Sequence, residues 1–256
     1  MTYVVALVVL PLAVIVLDAL RGGITGFLGS IRAPLPWHAL KLTLWTAAVM
    51  VVVNAIMGTL TAYALVRFEF PGRRALNAIV DLPLAIPTLV TGVMLVMLYG
   101  PQGALGGWVL EHGGFRVIFA PPGIVLALLF ITYPFIVRSV QPVLVDMDRS
   151  SEDAAATLGA GPLTVFRHVT LPAIALPVLS GALLSFARAV GEFGAIVIVA
   201  GNIPLHTQTA AVYVLGEVES ENRSGSSAMS VVLIGLALVL TLAVDLLHRR
   251  AETDEW

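Results

Sequence analysis

Apolar residues follow one another with no intervening polar face in six stretches, approximately 2–20, 40–66, 76–99, 120–140, 172–200 and 226–247. A bilayer core about 30 Å thick takes roughly 20 mostly apolar residues of helix, and each stretch is of that order. Strands of a membrane barrel alternate apolar and polar positions over segments of about 10 residues, so these continuous runs predict helices. The connections 21–39, 100–119 and 201–225 are rich in Gly and Pro and read as short caps rather than folded domains. Residues 1–20 lack a basic leading region and an A-x-A-like site before Arg21, which predicts a retained first helix instead of a cleaved signal peptide.

Composition supports the same class. Hydrophobic residues make up 58% of 256 positions and charged residues 12%, with a mean hydropathy of +0.96, which is far from a soluble domain. Fourteen Lys and Arg against 16 Asp and Glu give a net charge of -2, so no basic surplus exists to neutralise a nucleic-acid backbone, and nucleic acid is not an expected partner. Without cysteine there is no disulfide, thiolate metal site or cysteine nucleophile. Lys41 is the only lysine and follows Leu40, so no G-x-x-x-x-G-K-[ST] loop for ATP phosphates can be written. His38, His112, His168, His206 and His248 are scattered without ligand spacing. No metal and no cofactor is expected.

Basic residues orient the spans, because cytoplasmic loops retain Lys and Arg. With the N-terminus inside, Arg67, Arg73, Arg74, Arg138, Arg149, Arg167, Arg249 and Arg250 lie on the cytoplasmic side, and Arg21, Arg32, Lys41, Arg116 and Arg223 lie outside. Eight against five places both termini in the cytoplasm.

One cytoplasmic connection, residues 141–171, has internal order. Ser150 followed by Asp153 is an N-terminal capping pattern, and Glu152 and Asp153 suit the positive end of a helix dipole. The helix should run through Ala154, Ala155, Ala156, Thr157 and Leu158, with Gly159 as the residue that turns the chain left-handed. Pro162 can open a second short helix bearing Leu163, Phe166 and Val169, until Pro172 opens the next span. Such a pair of short helices is a knob suited to docking; an ordinary connecting loop is the plainer reading of the cap and the alanine run alone.

Asp153-Ala154-Ala155, three residues, Gly159, nine residues, Val169, Thr170, Leu171 and Pro172 resemble the EAA loop of ABC-importer permeases, E-A-A-x3-G-x9-I-x-L-P. Asp153 stands for Glu and Val169 for Ile. The stretches Phe68 to Arg74, Val80 to Pro87, Val137 to Leu144, Phe186 to Ala195 and Ala200 to Pro204 are similar to sulfate/thiosulfate permease subunits, and the last two are also similar to molybdate and tungstate permeases. The resemblance implies an all-α integral membrane protein of six transmembrane helices, a single permease domain over 1–256 with the type I ABC-importer permease fold. It implies that Glu152, Asp153, Ala154, Ala155, Gly159, Ala160 and Pro162 form the ATPase-coupling element. It also implies a cytoplasmic ATPase dimer, a second permease subunit, identical or homologous, and an extracytoplasmic oxyanion-binding protein as partners. Catalysis would reside on the ATPase, leaving this chain a transport subunit.

A charge at mid-bilayer costs from about 3 to over 10 kcal/mol, so Asp81, Arg188 and Glu192 should face a partner or water. Arg188 and Glu192, four apart, can pair on one helix face. A dianion attracted by Arg188 would be repelled by Glu192, which favours an ion pair lining the path or gate over a direct substrate site. Asp81 lies near Pro83 and Pro87 and marks a kinked helix, with lining of the path as the other reading. Ala187, Gly191 and Ala195 form a small-residue face that fits either a second permease or packing within one subunit. Asp245 is expected to reach water beside His248, Arg249 and Arg250. An ion-coupled secondary transporter is the reading from another class; it would use inverted repeats and buried carboxylates, and no convincing repeat is present.

Overall fold

The computed structural model describes the backbone of residues 3 and 5–253 and the side chains of residues 3 and 6–247. It is all-helical, in agreement with the hydropathy pattern. After a π-helical turn at Val5–Val9 come α1 (Leu10–Ala19), α2 (Gly23–Arg32), α3 (Pro34–Arg67), α4 (Arg73–Ala85), α5 (Thr88–Tyr99), α6 (Ala104–Gly113) and α7 (Pro121–Asp146). They are followed by α8 (Ser150–Thr157), α9 (Pro162–Val165), a π-helical turn at Phe166–Thr170, α10 (Leu171–Val190), α11 (Gly194–Ala200), α12 (Ala210–Glu219) and α13 (Arg223–Thr253).

Among the described residues, four helices are long and apolar enough to cross a membrane, Pro34–Arg67, Pro121–Asp146, Pro162–Val190 and Arg223–Leu247. The number rises to six if each of two bent pairs counts as one span. The first pair, Ala6–Ala19 with Gly23–Arg32, turns by 88°. The second is α4 with α5, and its break has a local cause. A residue before proline is pushed out of the helical region, and Ile86 before Pro87 is extended, with φ -84° and ψ 128°. The kink expected from the prolines is thus a full break.

Several boundaries differ from the sequence reading. The connections expected as caps contain helices: α2 in 21–39, α6 in 100–119 and α12 in 201–225. The continuous run 172–200 is interrupted at Gly191–Phe193, which lie between α10 and α11. In the other direction, Pro172 does not start a new helix. Proline removes one backbone donor and its ring crowds the carbonyl four residues back; the wide π turn at Phe166–Thr170 accommodates this, and Pro162–Val190 runs as one helix of 29 residues. The side chains of His248, Arg249 and Arg250, expected beside Asp245, lie outside the described residues.

The chain forms two compact units. One comprises residues 1–50, 87–128 and 187–239. Its core joins Ile31 of α2, Ala39 and Leu40 of α3, Ala210 and Tyr213 of α12, and Ala228 and Met229 of α13. The Thr43 hydroxyl donates to the Ala39 carbonyl at 2.9 Å and accepts the Ala210 amide at 2.8 Å, so α3 satisfies an orphan donor at the start of α12. In the same unit α5 and α11 pack closely because of glycine. A Cβ on Gly92 would stand 2.9 Å from the Ala195 carbonyl oxygen, and one on Gly194 would stand 2.2 Å from the Thr88 hydroxyl. Ala195, predicted on a small-residue face, is used in this internal contact.

The other unit comprises residues 51–86, 129–186 and 240–256. Ala62, Leu65 and Val66 of α3, Val80 of α4, Ile136, Val137, Val140 and Leu144 of α7, and Ile174 of α10 form its buried core. The final helix is different: only 6% of its most apolar window is buried, and Leu238, Val239, Leu242 and Leu246 are exposed. An apolar helix left uncovered in this way requires lipid or another membrane helix against it.

Candidate functional site

Three polar constellations stand out against this apolar background. The first is the connection after α7. Ser150 is not the N-cap of α8; Arg149 precedes it, and the Asp148 carboxylate takes the Ser150 amide at 3.0 Å and the Ser150 hydroxyl at 2.5 Å. Those bonds, the hydroxyl one foremost, favour the ionised form and hold the Asp148 carboxyl below its ordinary value. The N-cap is therefore one residue earlier than the Ser-x-x-Asp pattern suggests, and the orphan Ser150 amide is taken by the side chain of Asp148, two residues back.

The other end of α8 forms a Schellman motif. Gly159 has φ +89°, its amide donates to the Ala156 carbonyl at 3.0 Å, and the Ala160 amide reaches back to the Ala155 carbonyl at 3.1 Å. Pro162 then occupies the first position of α9. No residue of α8 is buried. Asp153 and Ala154 are exposed, Leu158 is 89% exposed and Leu163 is 78% exposed, so two leucines flank the Gly159 turn in water.

Glu152 points the opposite way. Its carboxylate lies 3.0 Å from Arg67 Nε and accepts the Thr170 hydroxyl at 2.5 Å, with the Arg67 and Glu152 side chains only 6% and 11% exposed. Arg67 Nη1 also donates to the Leu144 carbonyl at 2.9 Å, and Arg149 Nη2 donates to the Val66 carbonyl at 3.2 Å. The Nε–H is not aligned on the carboxylate as a hydrogen bond, so this contact is chiefly an ion pair. A cleft of about 630 Å3 opens alongside, lined by Val66, Arg67, Glu69, Arg73 and Val145 to Arg149.

The second constellation surrounds Arg138 of α7. Its Nε donates to Asp81 Oδ1 at 2.7 Å and Nη2 donates to Asp81 Oδ2, forming a two-pronged ion pair. Nη1 donates to Asn77 Oδ1 at 3.0 Å and to Gln141 Oε1, while Nη2 donates to the Asn77 carbonyl at 3.0 Å. Guanidinium has about five N–H donors, and five bonds are made. Arg138 therefore has no donor left for an anion. The Arg138 and Asp81 side chains are nevertheless 33% and 46% exposed.

The third is Arg188 with Glu192, 2.7 Å apart. The expected pair forms, but not on one helix, since α10 ends at Val190. Glu192 is 2% exposed and both its oxygens are used: one by Arg188 Nη1, the other accepting the Ala195 amide at 3.0 Å in the first turn of α11. Arg188 keeps 36% of its side chain exposed.

The sequence-derived candidates thus occupy separate constellations. Asp153, Ala154, Ala155, Gly159, Ala160 and Pro162 share the knob; Glu152 belongs beneath it; Asp81 pairs with Arg138 and not with Arg188. Arg67, Thr170, Asn77, Arg138 and Gln141 were not singled out. Arg138 carried a signal, since it falls inside the apolar run 120–140 and Asp81 needed a cation. Among the described residues no group of three or more His, Asp or Glu side chains could hold a metal ion.

A family model described as binding-protein-dependent transport system inner membrane component matches residues 54–253. The chain is 39% identical over 243 residues to the probable sulfate transport system permease protein cysT of Nephroselmis olivacea, covering 95% of this chain and 85% of that protein. It is 37% identical over 247 residues to the sulfate transport system permease protein CysT of Synechocystis sp., covering 96% and 86%. Among solved structures, a chain of a bacterial alginate ABC transporter, in complex with an alginate pentasaccharide-bound periplasmic protein, superposes with a TM-score of 0.78. The sequence identity there is 17%, with 98% of this chain and 91% of that one covered, so the likeness is one of fold.

Proposed function

The chain belongs to the family of binding-protein-dependent transport system inner membrane components, and from that premise we propose that it is the permease through which an ABC importer carries sulfate or thiosulfate across a membrane. It is a multi-pass membrane permease subunit of an ABC importer and not an enzyme. The observation that carries the substrate is identity of 34–42% to sulfate permeases over more than nine-tenths of this chain.

In this reading the whole chain is one permease domain with spans near 2–20, 40–66, 76–99, 120–140, 172–200 and 226–247. It lies in a prokaryotic cell membrane, with both termini cytoplasmic as the basic residues favour. A second permease, identical or homologous, completes the path, an extracytoplasmic protein delivers the oxyanion, and a cytoplasmic ATPase dimer drives the cycle. ATP binding can shift such a two-state equilibrium only through contacts that differ between the states, and the knob supplies them. Asp153, Ala154, Ala155, Gly159, Ala160 and Pro162 meet the ATPase, and the two exposed leucines support that role. Arg188 and Glu192 form a gate or wall of the path. Asp81, held by Arg138, is assigned separately to the lining of the path, which its 46% exposed side chain supports.

The test is ATP-dependent uptake of labelled sulfate by the complete reconstituted transporter, with molybdate or tungstate as competitor at low concentration. Sulfate uptake that resists competition is expected. Strong molybdate or tungstate uptake with none of sulfate would assign the other oxyanions. Uptake that follows an ion gradient while ATP is absent would overturn the ABC mechanism itself.

A further inference from the structure

Glu152 is the one acidic residue of α8 that faces inward, and the surroundings explain what it holds. Apolar burial does not fasten α8, because none of its residues is buried. The helix is attached at its two ends by backbone turns, at its N-cap by Arg149, which donates to the Val66 carbonyl at 3.2 Å, and in its first turn by the Glu152 carboxylate. That carboxylate meets Arg67, the last residue of α3, and Thr170, which is fully buried in the π turn leading into α10. Arg67 in turn donates to Leu144 near the end of α7. One carboxylate thus ties the knob, directly or through Arg67, to the ends of three long helices, and Arg67, Leu144, Glu152 and Thr170 all lie in the same compact unit.

From this geometry we infer that Arg67 and Thr170 are positioning residues for transport, transmitting displacement of the knob to α3, α7 and α10 through Glu152, which does not itself contact the ATPase. The inference rests on the proposed coupling of the knob to an ATPase. Its physical basis is that a largely buried ion pair, once one partner is neutralised, leaves the other charge uncompensated. Arg67 has two buried nitrogens, Nε and Nη2, with no aligned acceptor other than the ion-pair contact. With the link cut, α8 is held by its flanking turns and by the Arg149 bond to Val66 at its N-cap, and a push on Asp153 or Leu158 rotates the knob instead of displacing the helices.

The experiment uses the complete transporter in proteoliposomes, reading ATPase co-purification, ATP hydrolysis and oxyanion taken up per ATP. Glu152→Gln keeps the shape and an acceptor for Thr170 but removes the charge. Thr170→Val removes the other tie, and Arg67→Glu combined with Glu152→Arg exchanges the pair. Both single variants are expected to retain the ATPase at wild-type stoichiometry and to lower uptake per ATP by about fivefold or more, the usual lower range of a coupling effect. The exchanged pair should recover part of the loss. Wild-type uptake per ATP in Glu152→Gln and Thr170→Val would overturn the inference, as would loss of the ATPase from Glu152→Gln, which would make Glu152 a docking residue. Failure of the wild-type chain to retain an ATPase would instead remove the coupling reading beneath it.

Discussion

Asp81 and Arg138, 57 positions apart, meet as carboxylate and guanidinium with every donor of the arginine occupied. A saturated arginine fastens two helices and does not select anions. Lysine cannot reproduce the planar fork, so Arg138→Lys should weaken the α4–α7 contact. Exposed pairs contribute about 0–1 kcal/mol and breaking buried ones costs about 3–5; with both side chains a third or more exposed, a loss of about 1–2 kcal/mol is expected. The thermal midpoint in detergent should fall while the competition order among oxyanions stays the same. A changed order would show that Arg138 touches substrate.

Gly159 faces open space, with nothing within 4 Å of a built Cβ, so its φ of +89° alone demands glycine. Left-handed backbone costs an L-residue roughly 1–2 kcal/mol, least for Asn. Gly159→Val should reduce co-purification of the ATPase while membrane insertion persists, and Gly159→Asn should be milder. Equal behaviour of the two variants would argue against a conformational role.

Gly194 is constrained differently, by contact. A Cβ there would collide with Thr88 at 2.2 Å, whereas one at Gly191 would meet the Arg188 carbonyl oxygen at an ordinary 4.0 Å. Overpacking typically costs about 1–3 kcal/mol, so Gly194→Val should lower the thermal midpoint and Gly191→Ala should leave it near wild type. Destabilisation by Gly191→Ala alone would place the close approach elsewhere.

Glu192→Gln removes the counter-charge of Arg188 but retains an oxygen for the Ala195 amide. Uptake should fall, since a half-exposed arginine is released, and the ranking of sulfate, thiosulfate, molybdate and tungstate should be unchanged. Competition assays on the variant read this directly; a new ranking would move the pair from gate to substrate site.

The Asp148 carboxyl titrates below its ordinary value because Ser150 bonds to the ionised form. A folded-state pKa that is depressed contributes stability above the unfolded value and loses it as pH falls through the folded one. The first turn of α8 should therefore fray below about pH 4 and be insensitive to pH above it. Amide protection at residues 150–153, corrected for intrinsic exchange, would show the transition, and Asp148→Asn should abolish it.

What the sequence disclosed of these sites follows from how local each cause is. The Gly159 turn and the Pro162 start depend on backbone preferences within a few residues, and both were legible. The start of α8 was misplaced because Asp148 and Ser150 both satisfy the capping rule, and only the folded bonds show which side chain is used. That Glu152 turns inward and Asp153 outward depends on Arg67 and Thr170, remote in the chain. The break at Gly191–Phe193 is masked in hydropathy by the apolar residues on either side, although two glycines flanking a glutamate were a hint. Asp81 within an apolar run needs a partner, whereas the count of basic residues places Arg138 among the cytoplasmic charges that orient the protein.

Leu158 and Leu163, held out in water on either side of a rigid turn, bear on how this subunit is made. Until something covers them, a newly inserted copy displays a fixed greasy surface of the kind that promotes self-association. If the ATPase proposed for this knob is what covers them, overproduction of the subunit alone should give material that clumps through its water-facing end even when every span is properly solvated, and production together with the ATPase should prevent it.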